Sequence, residues 1–89
     1  MNIVFDKSFS RSLDKLSDKD LKQRIGTIIS EIEMAENPGQ IRSLKKIAGF
    51  KSFYRIRIGD YRLGLELEKN ATIRFILIAH RKDIYKLFP

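Results

Sequence analysis

Apolar positions in the first forty residues follow a helical period. Phe9, Leu13 and Leu16 recur at the spacing of one helix face, and Leu21, Ile25, Ile28, Ile29 and Ile32 continue the pattern over a longer run. Asp6 stands where it can cap the first helix. Ser17, with Asp20 three residues later, marks the start of the second in the manner of a capping box. Asn37-Pro38-Gly39 ends it, since proline cannot continue the helix and glycine permits a left-handed exit. The pattern predicts a helical hairpin with one buried face, preceded by a short strand at Asn2–Phe5.

Residues 40–52 read as a connecting segment. Leu44, Ile47 and Phe50 are expected to pack down, with Lys45, Lys46 and Lys51 in water. Three strand-like runs follow: Phe53–Ile58, Tyr61–Glu68 and Thr72–His80. Residues 82–88 suggest one or two closing helical turns. Gly59-Asp60 is a two-residue turn with glycine where a type II′ turn needs it. That turn sets Ile58 opposite Tyr61, Arg57 opposite Arg62, Ile56 opposite Leu63 and Arg55 opposite Gly64. Arg55, Arg57 and Arg62 then share one face, and the apolar side chains share the other. A three-residue turn at Lys69-Asn70-Ala71 sets Leu67 opposite Ile73, Leu65 opposite Phe75 and Glu66 opposite Arg74, where an ion pair is expected. The same count carries Ile76, Ile78 and His80 onto the arginine face, which implies a last strand that is central and covered on both sides. The predicted fold is α+β, a short strand and a helical hairpin packed on an antiparallel sheet that ends in a three-stranded meander. Residues 1–89 form one domain.

Charge changes this picture because it is concentrated. Residues 1–40 carry six Lys/Arg against seven Asp/Glu, whereas residues 41–62 carry seven basic residues against Asp60 alone. A local excess of this kind attracts polyanions. The competing reading is a solvated basic face. Arginines placed directly opposite one another destabilise a strand pair, and an anionic partner removes the conflict. Gly64 opposite Arg55 leaves room for something to approach the sheet. With no cysteine and one histidine, a thiolate or zinc site is excluded, and neither metal nor cofactor is expected. No apolar run spans a bilayer, and Met1-Asn2-Ile3-Val4-Phe5-Asp6 is too short and too soon acidic for a signal peptide, so a cytoplasmic protein is expected. Imidazole as a side-chain type can carry protons near neutral pH, which makes His80 a candidate proton carrier. Tyr85 either packs the tail or stacks on a base.

Four segments carry a family resemblance: Leu44-Lys45-Lys46-Ile47-Ala48-Gly49, Tyr54-Arg55-Ile56-Arg57-Ile58, Asp60-Tyr61-Arg62-Leu63, and Ala79-His80-Arg81-Lys82-Asp83-Ile84-Tyr85. In this order the chain resembles, over its whole length, the RelE/ParE toxin superfamily, and within it the RelE-like messenger-RNA interferases. The resemblance implies a toxin of a toxin–antitoxin system that inhibits translation. It implies a metal-independent endoribonuclease that enters the ribosomal A site and cuts mRNA by attack of the 2′-hydroxyl on the adjacent phosphate. Arg62 and Arg81 would hold the scissile phosphate and Tyr85 the nucleotide. Arg55 and Arg57, with Lys45, Lys46 and Lys51, would bind the RNA. Some RelE members carry lysines where Arg55 and Arg57 stand. Arginine does not deprotonate, so His80 is the expected general base or acid. The resemblance also implies a cognate acidic antitoxin that wraps the toxin, with operator DNA bound only through it. Two alternatives stay open: a ParE-like gyrase inhibitor that cuts no RNA, and an inactive member that only binds an antitoxin.

Overall fold

A computed structural model describes residues 1–89. The elements are β1 (Asn2–Phe5), α1 (Lys7–Asp14), α2 (Lys19–Met34), a single 3-10 turn (Pro38–Gln40), β2 (Leu44–Lys46), β3 (Phe53–Ile58), β4 (Tyr61–Glu68), β5 (Thr72–His80) and α3 (Ile84–Leu87). The five strands form one sheet in the order β1-β5-β4-β3-β2. All its pairings are antiparallel except β1 with β5, so the sheet is mixed rather than purely antiparallel.

The helical hairpin covers one face. Phe9, Leu21, Ile25 and Ile32 meet Ile56, Ile58, Leu63, Leu65, Ile73, Phe75 and Ile78 in a continuous core. Phe75 is fully enclosed, with Phe5 and Phe9 ring centroids 5.4 and 5.3 Å away. The apolar stripe of the second helix is therefore core, with Ile28 and Ile29 at its margin.

Several local expectations are corrected. Asp18, not Ser17, caps α2, its carboxylate accepting from the Leu21 N–H at 3.1 Å. Asp6 stands at the start of α1 without a side-chain cap bond, because its carboxylate is taken by Arg74 at 2.6 Å. The helix α2 ends at Met34 and Ala35 is already extended, so Gly39 is not the exit. Asn37 is extended, as steric contact with a following proline ring demands, and Pro38 opens the 3-10 turn. The connecting segment holds a strand: Leu44, Lys45 and Lys46 pair with Ile56, Arg55 and Tyr54. A three-residue strand with two lysines has no period of its own, and its partner dictates it. Phe50 does not pack down. It is 45% exposed and stands edge-on to Phe53.

The β3–β4 register is the predicted one in every pair, and Gly59 at the turn has φ of 56°. The β4–β5 register is as predicted from Glu68↔Thr72 to Leu65↔Phe75. Beyond that point a β-bulge intervenes. Gly64 faces Leu77, Leu63 faces Ile78, and Tyr61 faces His80. Ile76 is the extra residue, and the Ser8 hydroxyl donates to its carbonyl. The shift falls between Gly64 and Leu65, and glycine inside a strand often marks a bulge. The shift puts Ile78 into the core at 3% exposure instead of on the arginine face. Burying that side chain stabilises the fold by about 1.5–3 kcal/mol. β5 is central, as expected, with β1 and β4 on its two sides.

Candidate nucleic-acid interface

The face of the sheet away from the helices carries the arginines. Arg57 and Arg62 are directly opposed, and Arg55 lies opposite Gly64. On the other side of β3, Lys45 is opposite Arg55 and extends the basic face, whereas Lys46, opposite Tyr54, belongs to the helix side. Lys51 is exposed in the loop before β3, where it and Lys46 line a shallow cavity of about 440 Å³ with Phe50.

The hairpin turn gathers two further groups. Arg62 folds back along its own strand, and its Nη1 donates to the carbonyls of Gly59 at 2.8 Å and Tyr61 at 2.9 Å. The Arg81 N–H donates to the Asp60 carbonyl at 2.7 Å, so the end of β5 is tied to the turn. The Arg81 guanidinium lies 3.8 Å from the Asp60 carboxylate in an open ion pair. The Arg62 guanidinium is held below its ordinary pKa. Partial burial is the largest cause, followed by the charges of Arg57 and Arg55; Tyr85 opposes them, and Arg81 adds to the lowering. Arg55, Arg57, Arg62, Arg81 and Tyr85 thus form one electrostatic cluster. It is a concentration of like charge that an anion would relieve.

The far end of the same face is neutralised. Arg74 is opposite Glu66, as predicted, but its ion pairs are with Glu68 at 2.8 Å and with Asp6. These bonds, that of Glu68 first, raise its pKa. Glu66 instead accepts from the Ser52 hydroxyl at 3.3 Å. Nowhere do three His, Cys, Asp or Glu side chains converge as a metal site.

One expectation about this face is overturned. His80 is not on it. The bulge turns His80 to the helix side, opposite Tyr61 and 5.6 Å from its ring. There it lines a cavity of about 420 Å³ with Ser12 and Leu16, and its Nδ1 accepts from the Lys82 N–H at 3.2 Å. Gly64 does leave room on the arginine face, as expected, and the chain itself occupies it. The ring of Phe88 fills the space, so close that a Cβ at position 64 would lie 2.8 Å from it. Ile84 and Phe88, both buried, pack the tail onto the sheet, and Tyr85 is left 58% exposed.

Sequence reasoning missed Arg24. It reaches from α2 to the Gly59 turn and lines a cavity of about 220 Å³ with Arg57. Its place beside Ile25 and Ile28 on the helix is the signal that could have found it.

The opposed arginines make a prediction about stability. Replacing Arg57 with threonine removes a repulsion of about 0.2–1 kcal/mol. The melting midpoint should rise by roughly 1–8 °C in a domain of this size. A thermal melt that shows a lower midpoint for Arg57→Thr would contradict the placement of strain on this face.

Comparisons with known proteins bear on the whole chain. Residues 3–85 match the family described as ParE toxin of type II toxin–antitoxin system, parDE. The chain is 37% identical over 90 residues to Toxin RelE3 of Methanocaldococcus jannaschii, covering all of both chains. The toxin in the RelB–RelE antitoxin–toxin complex from Methanococcus jannaschii is 36% identical. It superposes with a TM-score of 0.79 over 97% of this chain and 99% of that one. The isolated E. coli RelE toxin, 17% identical, shares the fold alone, with a TM-score of 0.66 over 89% of this chain and 82% of that one. With a family match over nearly its entire length and a full-length relative at this identity, the chain belongs to the RelE/ParE toxins of type II toxin–antitoxin systems.

Proposed function

We propose that this toxin is a metal-independent endoribonuclease that cuts messenger RNA in the ribosomal A site. The observation that carries the reading is the cluster of Arg55, Arg57, Arg62 and Arg81 on the β3–β4 hairpin and the strand end tied to its turn, with Tyr85 beside it. In the reaction the ribose 2′-oxygen bonds to the adjacent phosphorus and the bond from phosphorus to the 5′-oxygen breaks. A 2′,3′-cyclic phosphate and a 5′-hydroxyl result. Negative charge grows on the phosphoryl oxygens in the transition state, and preorganised cations stabilise it more than the ground state. Arg62 and Arg81 are assigned to the scissile phosphate. Arg55 and Arg57, with Lys45, hold the flanking backbone, and Tyr85 stacks on the nucleotide.

The chain's part is charge stabilisation and positioning. Proton transfer is not routed through His80, which faces the other side of the sheet. His80→Ala is therefore expected to cleave within about threefold of the wild-type rate, an effect of under 1 kcal/mol on the barrier. A loss of a hundredfold in single-turnover cleavage would return the histidine to the reaction.

The partner is a cognate antitoxin with an acidic segment, which a chain of net charge +7 suits. Operator DNA would be bound only through that antitoxin. The M. jannaschii RelB–RelE complex supports the antitoxin partner alone.

A second reading is a toxin that binds gyrase and leaves RNA intact, and the ParE family match favours it. The arginine cluster with its exposed tyrosine favours the nuclease. The test is addition of the purified chain to ribosomes carrying a defined message. The nuclease reading expects cleavage at the A-site codon. An intact message would overturn it.

A further inference from the structure

We propose that Phe88 and Gly64 form a lock that positions Tyr85, making Phe88 a positioning residue of the same face. The inference rests on the nuclease reading above. It begins with the shortness of α3. Four residues, Ile84–Leu87, cannot hold a helical turn without tertiary support. The support comes from two side chains four residues apart. Ile84 is fully buried and Phe88 is 3% exposed, while Tyr85 and Leu87 between them face outward. The Phe88 N–H closes the turn on the Ile84 carbonyl at 2.8 Å.

The socket for Phe88 is built from the arginine face itself. Its ring lies on Gly64, which pairs with Arg55 on one side and Leu77 on the other. A Cβ at position 64 would be 2.8 Å from two ring carbons, closer than atoms pack, so only glycine admits the ring there. The ring also meets Phe53 edge-on at 5.3 Å, and Phe53 in turn meets Phe50 at 5.6 Å. These rings lie on the outer side of the sheet, separate from the core under the helices. Phe88 brings no charge and no titratable group to the site. What it brings is the location of Tyr85, three residues earlier, within electrostatic reach of Arg62.

The geometry separates two roles of the tail. Tyr85 meets the nucleotide, and Phe88 holds Tyr85 where the scissile phosphate will be. Displacing a substrate-positioning group by about 1 Å costs on the order of a hundredfold in rate.

The test uses the full chain in two variants that break the lock from opposite sides, Phe88→Ala and Gly64→Ala. Hydrogen exchange at the Lys86 and Phe88 amides reads the tail, and exchange at core amides of β5 confirms the fold. Both variants should lose at least about tenfold protection at the tail amides alone. Single-turnover cleavage should fall by about 10–100-fold in kcat with KM within about threefold. Phe88→Leu, which keeps an apolar group in the socket, should recover most of the rate. Phe88→Ala combined with Tyr85→Ala should be no slower than Tyr85→Ala alone, because the first acts through the second. Wild-type cleavage by a Phe88→Ala chain with an opened tail would overturn the proposal. So would a double variant slowed by the product of both single losses. If the wild-type chain cuts no message, the nuclease reading fails and takes the catalytic part of this proposal with it. Tail amides that stay protected in Gly64→Ala would instead overturn the lock itself.

Discussion

Arg62→Ala is expected to lower kcat/KM for message cleavage by about 10²–10³-fold, the usual loss when one preorganised donor to a developing oxyanion is removed. Arg62 lies at the centre of the cluster, where the charges of Arg57, Arg55 and Arg81 and the phenol of Tyr85 all act on it. Its Nη1 is engaged by the Gly59 and Tyr61 carbonyls, which fixes the orientation of the fork. The fold should survive the change, since Arg62 is not part of the core and its removal relieves the repulsion with Arg57. Arg62→Lys should recover only part of the loss, because an ammonium keeps the charge without the planar fork. The measurement is single-turnover cleavage on programmed ribosomes, with circular dichroism to confirm folding. A folded Arg62→Ala chain that cuts at the wild-type rate would remove the arginine from the reaction.

Phe75→Ala should have the largest effect on stability. The ring is fully enclosed and packs against Phe5 and Phe9, so it joins β1, α1 and β5. Emptying such a site costs about 3–5 kcal/mol. That is a large part of the roughly 5–15 kcal/mol that holds a domain together. The melting midpoint should fall by about 12 °C or more, at roughly 4–8 °C per kcal/mol. Thermal unfolding followed by circular dichroism checks this. A fall equivalent to less than about 0.5 kcal/mol, the usual surface effect, would mean that the core is not centred on this ring.

The β3–β4 hairpin was legible because two signals agree there. Gly59 pins the turn, and strict alternation of Tyr54, Ile56 and Ile58 with Arg55 and Arg57 leaves one register that buries the apolar face. The arginine face followed from that register without further information. The second half of β5 was not legible in the same way. Phe75-Ile76-Leu77-Ile78 is apolar at every position, so a period of two cannot say which residues face the helices. The bulge settles it by packing, with Phe75 and Ile78 both in the core and Ile76 left over. His80 went to the wrong face for this reason alone. The tail illustrates a different limit. Gly64 was read correctly as an opening on the arginine face, but its occupant, Phe88, is 24 positions away and belongs to a one-turn helix with no periodic signature. Likewise β2 exists only because Tyr54–Ile56 offers it a partner. Family membership was legible because it depends on four motifs in order, and none of these local errors touches that order.

The central claim is that the arginine face performs chemistry on an RNA phosphate. It is tested most directly by mapping the ends of a translated message after exposure to the chain, with the Arg62→Ala variant and purified DNA gyrase run in parallel. Cuts in codon phase that leave 2′,3′-cyclic phosphate and 5′-hydroxyl ends are expected, lost with Arg62→Ala, and gyrase is expected to stay active. An intact message together with inhibited gyrase would contradict it.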